Sequence, residues 1–535
     1  MSSEQKIEQL GLDVYEKLGK PVNVNVVRAM LESMSIRTID AQQEYGIDDL
    51  QDLAKIIFAQ ISDPIFLRKN PSQLPVNEQF KAELTSASDY LKIKTKYFFY
   101  YYPLGLLHGV PVFLQIATII LFGYSMWTYT GFNQLQSTAV VLGVIFGLIG
   151  TGGFVQVIGR QVSHYWFSND FHMARKSTIM VIRDGLVFMG ILSILALILN
   201  FFASFYPYQF LWLVYAYAFS IGVLLLLSAV FHPLKQRWVI TITFVVAAGL
   251  SLCLHLYTSI GTYYTHWIGI WTANLIMAIY LILFFNRKVK RTKEFNRATS
   301  KSVAMVYRNY RYFFYGFVFF IFIFTDRFLA WSTLNEGTIP YIIYYEKNYE
   351  IGMDIAILIF FLLVGVLEFG IASFSTFSDL LQKQIDYNRA DIFNKKSLRM
   401  YWEHVSILLV VGAVMTFVLY LVIWQRLGYQ RAFDEGLDYV SIKVSLLGGL
   451  GYIFVAWGML NSLYLFTLNK PAKPLNAILV AWLVNVIVGL VASRLISYEY
   501  SVVGMLVGST VFMLMTLKST LKFFKNLDYF YYAAY

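Results

Sequence analysis

Cysteine is almost missing from this sequence: Cys253 is the only one among 535 residues. A disulfide joins two cysteines, and a thiol-based metal site needs several, so this chain alone can build neither. The single thiol also lies inside an apolar block. Cysteine usage therefore excludes a disulfide framework and leaves the cellular compartment undecided.

Charged residues are scarce as well. Asp, Glu, Lys and Arg make up 14% of the chain, whereas a soluble domain carries about 25%. The sequence also lacks a Walker loop, a His-Glu-x-x-His motif and a Gly-x-Ser-x-Gly motif, which are common signatures of nucleotide, zinc and serine chemistry. We therefore expect no catalytic residues, no cofactor and no metal, and we do not expect an enzyme.

Long apolar blocks take the place of charge. Hydrophobic residues make up 58% of the chain and the mean hydropathy is +0.57. A helix of about 20 apolar residues crosses the hydrocarbon core of a bilayer. The blocks predict an all-α integral membrane protein with about twelve spans. The predicted spans are 107–129, 137–159, 184–204, 210–231, 238–260, 266–285, 312–332, 352–376, 404–424, 441–466, 475–497 and 500–518.

Positive charge alternates between successive loops, which predicts the orientation in the membrane. The net charge is +11, and residues 1–100 carry 14 acidic and 12 basic residues, so the excess lies in the membrane part. Because the cations alternate between loops, we attribute the excess of positive charge to orientation in the membrane and not to nucleic-acid binding. With the N-terminus inside, the cytoplasmic loops hold most of the cations, and we expect both termini to be cytoplasmic. The cytoplasmic cations include Arg160, Arg175, Lys176, Arg183, Lys235, Arg237, Arg287, Lys288, Arg308, Arg311, Lys395, Arg399, Lys470 and Lys473.

The densest basic stretch divides the spans into two sets of six. Because six is even, both sets enter the membrane in the same sense, which is the topology of parallel repeats. We predict two six-helix halves at 97–285 and 312–519, joined by a basic cytoplasmic linker. The linker is 286–311, and a cytoplasmic tail follows at 520–535.

The first 96 residues predict a small cytoplasmic helical domain and a juxtamembrane helix. One helix is expected across Val26–Met34. Another begins after Asp48 or Asp49 and places Leu50, Leu53, Ile56 and Ile57 on one apolar stripe. Pro71–Pro75 is typical of a linker. An amphipathic helix over 77–96 would then place Lys92, Lys94 and Lys96 at an anionic membrane surface.

Charged side chains within the spans are the main candidates for function, because burying a charge in a membrane is costly. Asp326 and Arg327 lie in the seventh predicted span, and Asp354 and Glu368 in the eighth. Arg327 could reach Asp354, whereas Asp326 and Glu368 lie at different depths and should not pair. Two interpretations stay open: a structural clamp between helices, or an aqueous path for a polar substrate or a coupling ion.

Other polar or small residues within the spans have ordinary packing explanations. His255 is either a hydrogen-bonded packing residue or a proton relay, and we favour packing. Asn274, Asn461 and Asn485 are expected to connect helices by hydrogen bonds. Closely spaced glycines predict tight helix contacts rather than a phosphate loop, because no Lys-Ser/Thr pair follows them. These are Gly143, Gly147, Gly150, Gly152 and Gly153.

Three segments resemble PelG-type exopolysaccharide exporters. Gly159–Trp166, which contains Arg160, resembles an Arg-x-x-Ser-Asp loop of that family, with His164 in place of the acid. Tyr310–Phe313 and Thr325–Trp331 resemble its aromatic seventh span, with Arg327 in place of lysine and Phe328 in place of tryptophan. A looser similarity covers Glu368-Phe369, Phe374 and Tyr387. The resemblance spans roughly 100–520 and leaves out the N-terminal 95 residues.

This resemblance implies a twelve-helix, flippase-like exporter in the bacterial inner membrane, related to lipid-linked oligosaccharide and multidrug exporters. Such a protein would pass a growing polysaccharide from a cytoplasmic glycosyltransferase, together with other membrane subunits of the synthase complex. Its expected partners are membrane lipids, the polysaccharide and those subunits, and no nucleic acid. Three further hypotheses stay open: a lipid-linked oligosaccharide flippase, a cation-coupled small-molecule exporter, and a membrane scaffold for a glycosyltransferase.

Overall fold

The structure is a computed structural model that describes residues 3–18, 21, 23–34, 36–62, 87–290, 302–333, 342–385, 390–424 and 436–534. Throughout these ranges the regular structure is helical, apart from one isolated β-bridge between Tyr124 and Tyr129. The predicted linker Pro71–Pro75, residues 291–301 of the basic linker and Tyr387 lie outside the described residues.

Four helices form the N-terminal region, and they enclose a core of their own. They are α1 (Ser3–Leu18), α2 (Val24–Ser33), α3 (Thr38–Tyr45) and α4 (Leu50–Ser62). The side chain of Asn23 caps α2 by accepting a hydrogen bond from the Val26 amide at 3.1 Å. The core is aliphatic, and Val14, Val27, Leu31, Leu53 and Ile57 are fully buried in it. Helix α2 agrees with the expected Val26–Met34.

One residue of the predicted apolar stripe in α4 is wrongly placed. Leu50, Leu53 and Ile57 are buried, but Ile56 is 42% exposed. At about 100° per residue, Ile56 lies roughly 100° around the helix from Ile57. Ala54 and Ile61 are both buried, and they complete the apolar stripe in place of Ile56.

The membrane helices before the basic linker follow the predicted order. They are α5 (Ala87–Leu106), α6 (Val110–Phe122), α7 (Gln134–Phe167), α8 (Phe171–Ala203), α9 (Tyr208–Phe231), α10 (Arg237–Tyr257) and α11 (Thr262–Lys290).

The helices after the basic linker also follow the predicted order of spans. They are α12 (Ser302–Trp331), α13 (Lys347–Gln384), α14 (Ala390–Trp424), α15 (Tyr439–Thr467), α16 (Ala472–Leu495), α17 (Ser501–Lys525) and α18 (Leu527–Ala534), with a short 3₁₀ turn at Tyr498–Tyr500. The C-terminal segment 520–535 is thus helical as far as Ala534.

Eleven helices of the described chain are long and apolar enough to cross a membrane, and the bent pair Ile93–Leu106 and Val110–Phe122 brings the number to twelve. The chain is therefore an all-α, multi-pass membrane protein. The first predicted span, 107–129, is wrongly bounded. The two pieces meet at 61°, and α6 already ends at Phe122, where Gly123 adopts a left-handed φ of 65°. Proline near the start of α6 explains the break, because it cannot donate the helical hydrogen bond.

The chain forms two compact units. One comprises Met1–Tyr100, Phe369–His404 and Leu521–Tyr535, and the other Tyr101–Glu368 and Val405–Thr520. In the first unit, Asn394 donates to Asp528 at 2.8 Å and accepts from its amide at 3.0 Å. Lys94 of the same unit donates to Glu403, so this predicted surface lysine already has a carboxylate partner.

In the second unit, α7 packs against α8, α9 and α12. Its glycines make the close approach possible. A Cβ on Gly143 would meet the Cβ of Tyr217 at 2.6 Å, and one on Gly152 would meet the Gly316 carbonyl at 2.9 Å. The predicted packing role of these glycines is confirmed. The contact with α12 also brings the two sets of six helices together along α7.

Candidate functional site

The most deeply buried cation of the described chain is Arg327, near the end of α12. Its side chain is 1% exposed. The Nε atom donates to both carboxylate oxygens of Glu350 on α13, at 2.9 and 3.0 Å. Nη1 donates to the Ile323 carbonyl at 3.3 Å and to the Tyr452 hydroxyl at 3.4 Å. Arg327 is thus held by three helices, because Tyr452 belongs to α15.

Two more carboxylates surround this arginine. Asp326 is fully buried and accepts a hydrogen bond from the Tyr349 hydroxyl at 2.7 Å through Oδ2. Its Oδ1 atom has no hydrogen-bond donor within the described residues. Asp354 lies one turn after Glu350, with Oδ1 4.0 Å from Arg327 Nη2, and its side chain is 63% exposed. The cluster therefore has one buried and one accessible acid beside the central ion pair.

The charges in this cluster do not balance. Asp326, Glu350 and Asp354 could carry three negative charges, whereas Arg327 supplies one positive charge. In an apolar bundle an excess of carboxylates favours uptake of a proton or a cation, because like charges at short range oppose joint ionisation. Among the described residues, no group of three His, Cys, Asp or Glu side chains is close enough to hold a metal ion.

The sequence located this cluster but missed its central partner. Arg327 does approach Asp354, as expected, but its direct partner is Glu350. Glu350 precedes Asp354 by four residues, so both lie on the same helix face. That spacing was the available signal. It was missed because the predicted eighth span began at 352, whereas α13 begins at Lys347.

Glu368 belongs to a second, separate cluster. Arg237, at the start of α10, donates to Glu368 Oε1 at 2.7 Å through Nη2 and to the Leu104 carbonyl at 3.4 Å through Nη1. Gly105 and Gly365 approach closely beside this pair. The ring of His108 stacks on that of His232 with centroids 4.2 Å apart. Glu368 and Asp326 have different partners, as their depths predicted.

Arg160 lies in a third cluster, at the end of α7. Its guanidinium stacks 4.1 Å from the ring centre of Tyr312 on α12. Nη2 of Arg160 donates to Asn469 Oδ1 at 2.9 Å, and the Tyr312 hydroxyl donates to the same oxygen at 3.2 Å. Asn469 lies in the left-handed region with φ 55°, in the turn after α15. This cluster therefore joins helices of both halves.

The opposite end of α7 also contacts the second half. Gln134 Nε2 donates to the Tyr345 carbonyl at 2.6 Å, and the Tyr345 amide donates to Thr138 Oγ1 at 3.1 Å. The Tyr206 hydroxyl donates to the Ile343 carbonyl and accepts from its amide, both at 3.0 Å. The two halves thus make polar contacts at both ends of α7.

His255 and the predicted asparagines make packing contacts. The His255 ring stacks on Tyr124 with centroids 4.2 Å apart. Burial raises the pKa of the Tyr124 hydroxyl, which stays neutral and donates to Thr265 Oγ1 at 2.9 Å. The asparagine side chains connect helices: Asn274 donates to the Ser220 carbonyl, Asn461 to Thr516 and Asn485 to the Phe322 carbonyl.

No family model and no curated protein matches this sequence. Several solved structures share its fold. A MATE crystallised in complex with MaD3S has a TM-score of 0.58 at 13% identity, with 82% of this chain and 97% of that chain covered. A eukaryotic MATE transporter has a TM-score of 0.55 at 13% identity, with 81% and 98% covered.

The inward-facing conformation of a multidrug resistance MATE family transporter of the MOP superfamily is also similar. Its TM-score is 0.52 at 14% identity, and 79% of this chain and 98% of that chain are covered. These likenesses show that the chain has a MATE-like transporter fold.

Proposed function

We propose that this protein is a membrane exporter that works by opening and closing the contact between its two six-helix halves. The observation that carries the proposal is the MATE-like fold, combined with polar contacts between the halves that could break and re-form. The ion pair of Arg237 with Glu368 is the best example, because both side chains are partly exposed, at 17% and 28%. Water can therefore replace either partner at moderate cost.

The proposed cargo is a secreted polysaccharide, delivered by a cytoplasmic glycosyltransferase at the bacterial inner membrane. Support comes from the sequence resemblance at Gly159–Trp166 and Thr325–Trp331. In this proposal Asp354 faces the substrate path, since its carboxylate is accessible. Asp326 and Arg327 are the buried charged residues beside it. Glu368 and Arg160 take part in the contacts between the halves, and His255 packs against Tyr124.

A cation-coupled small-molecule exporter is the second candidate, and the unbalanced charge around Arg327 favours it. Proton uptake by Asp354 or Asp326 would change the net charge of the cluster without a metal. Such coupling could drive export of a small molecule or of a lipid-linked sugar. The excess of carboxylates around Arg327 does not follow from a role as a scaffold alone.

Loss of the accessible carboxylate tests export directly. We expect Asp354→Asn to leave the amount of protein in the membrane unchanged and to abolish the appearance of polymer outside the cell. Asp184→Asn is the matched control, because Asp184 is an exposed acid bonded to its neighbour Arg183. Normal polymer secretion by Asp354→Asn, with loss of secretion on deletion of residues 1–62, would instead establish a scaffold.

A transport assay separates the two export candidates. Cells that carry the protein would be loaded with a cationic dye, and dye efflux would be followed with and without a proton gradient. Gradient-dependent efflux that Asp354→Asn abolishes would establish the small-molecule candidate. Absence of efflux together with polymer secretion would establish the polysaccharide candidate.

A further inference from the structure

Two arginines, one on α7 and one on α12, lie together at one end of α7, and the part of the chain that the structure describes gives neither of them a carboxylate partner. Arg160 belongs to α7 and Arg308 to α12. Arg308 donates to Gln161, the residue after Arg160, and Arg160 stacks on Tyr312, one turn after Arg308, so the two arginines lie close together. His164 lies one turn after Arg160 on the same helix. Within the described residues neither arginine forms an ion pair with Asp, Glu or the C-terminus, in contrast to Arg237 and Arg327.

The hydrogen-bond partners of both arginines are neutral groups. Arg160 is held between the Tyr312 ring and the Asn469 side-chain oxygen. Arg308 Nη2 donates to Gln161 Oε1 at 3.4 Å, and Asn309 Nδ2 donates to the same oxygen at 3.0 Å. Gln161 is buried, with 1% exposure. These partners are neutral, so both guanidinium groups keep their positive charge before any ligand arrives.

We infer that this pair binds the phosphate of an anionic phospholipid headgroup, and we call Arg160, Arg308 and His164 the phosphate site. Paired guanidinium groups match the oxygens of a phosphate, because each presents planar, fork-like donors. A bound phosphate would also relieve the repulsion between the two arginines. Basic pockets between membrane helices on the cytoplasmic side are suited to lipid headgroups of this kind.

Nearby side chains favour a lipid over a soluble phosphate. Tyr307 is 80% exposed and Tyr310 is 38% exposed, both within one turn of Arg308 on α12. Phe167, at the end of α7, is 67% exposed. Exposed aromatic rings at the ends of membrane helices are typical of the interface at which headgroups lie. Because one arginine comes from α7 and the other from α12, a lipid bound here would also hold these two helices together.

Lipid binding to the purified full-length protein tests the inference, and it does not depend on the exported substrate. Native mass spectrometry would compare phosphatidylglycerol with phosphatidylcholine of identical acyl chains. We expect at least tenfold tighter binding of phosphatidylglycerol. Arg160→Gln and Arg308→Gln should each reduce its affinity about tenfold, which corresponds to the loss of one charge-assisted hydrogen bond. Arg175→Gln, which removes the same charge at the start of α8, should change it less than twofold.

Three results would overturn the inference. One is equal binding of the two lipids by the unmodified protein, which needs no variant at all. Another is an equal loss of affinity in Arg175→Gln and in the two site variants. The third is binding of inorganic pyrophosphate with no preference for phosphatidylglycerol, which would assign the arginines to a soluble phosphate. If the glutamine variants do not fold, Arg160→Lys and Arg308→Lys take their place, because they keep the positive charge. We expect each of them to reduce the affinity for phosphatidylglycerol three- to tenfold.

Discussion

Arg237 on α10 and Glu368 on α13 form an ion pair of 2.7 Å that connects the first six membrane helices to the second six. Arg237 also donates to the Leu104 carbonyl on α5, so a single side chain links three helices. The pair is partly exposed, whereas the Arg327–Glu350 pair is buried. This difference in burial predicts different consequences when each pair is broken.

Removing the partly exposed pair should change conformation more than stability. For Glu368→Gln we expect a free energy of unfolding within about 1 kcal/mol of the unmodified protein, because water screens this pair. Backbone amides around Leu104–His108 should exchange hydrogen faster, as the contact between halves opens more often. Hydrogen-exchange mass spectrometry measures this directly.

Two controls accompany that measurement. Arg183→Gln breaks an exposed pair within α8 and should leave exchange at 104–108 unchanged. The charge reversal Arg237→Glu with Glu368→Arg should restore slow exchange. Unchanged exchange in Glu368→Gln would show that the pair does not hold the halves together.

Breaking the buried pair should destabilise the fold itself. Glu350→Gln leaves the Arg327 guanidinium buried without its counter-charge, and we expect a loss of about 3–5 kcal/mol in the free energy of unfolding. Asp354→Asn should cost less than about 1 kcal/mol, since Asp354 is 63% exposed and lies 4.0 Å from the guanidinium. Denaturant unfolding of the purified protein in detergent compares the two. Equal losses would mean that Asp354, and not Glu350 alone, neutralises Arg327.

The Tyr349 hydroxyl should stabilise the buried Asp326 carboxyl. Tyr349→Phe removes the one hydrogen-bond donor that the described residues direct at Asp326 Oδ2, and we expect a loss of about 1–3 kcal/mol in unfolding free energy. Tyr439→Phe is the control, because that tyrosine is 73% exposed. The effect of Tyr349→Phe should shrink in an Asp326→Asn background; a full effect there would assign the loss to packing of the ring.

The glycines at the α7–α12 contact should not tolerate a methyl group. Gly316→Ala places a Cβ against the Gly152 carbonyl, and overpacking of this kind costs about 1–3 kcal/mol. Gly159→Ala is a control on α7, because nothing lies within 4 Å of that position. Alanine there should stabilise the helix by about 0.5–1 kcal/mol. Thermal unfolding would detect both the destabilisation by Gly316→Ala and the stabilisation by Gly159→Ala. An unchanged stability of Gly316→Ala would show that the helices can separate locally without cost.

Hydropathy predicted most of the membrane helices. Apolar length predicted the membrane spans because the thickness of the bilayer sets the length of a crossing helix. The first span was the exception. Its bend near Gly109 and its end at Gly123 depend on local backbone geometry, which an average of hydropathy over a window does not detect. The prediction that both termini are cytoplasmic remains a prediction from loop charge.

The candidate site was predicted less completely. Composition identified Asp326, Arg327, Asp354 and Glu368, because charges within apolar spans are few. Their partners were missed: Glu350 lay just outside the predicted span, and Arg237 was assigned to a loop. Partner choice depends on which helix faces meet, and sequence spacing along one helix gives no information about another.

The sequence alone determined that this chain enters a membrane as many helices, because burial of apolar side chains depends on composition and length. Only the tertiary structure decided which charges meet. It placed Arg327 against Glu350, Arg237 against Glu368, and Arg160 near Arg308. Coulomb energy falls with distance, so these pairings, and the chemistry proposed from them, depend on how helices far apart in sequence pack together.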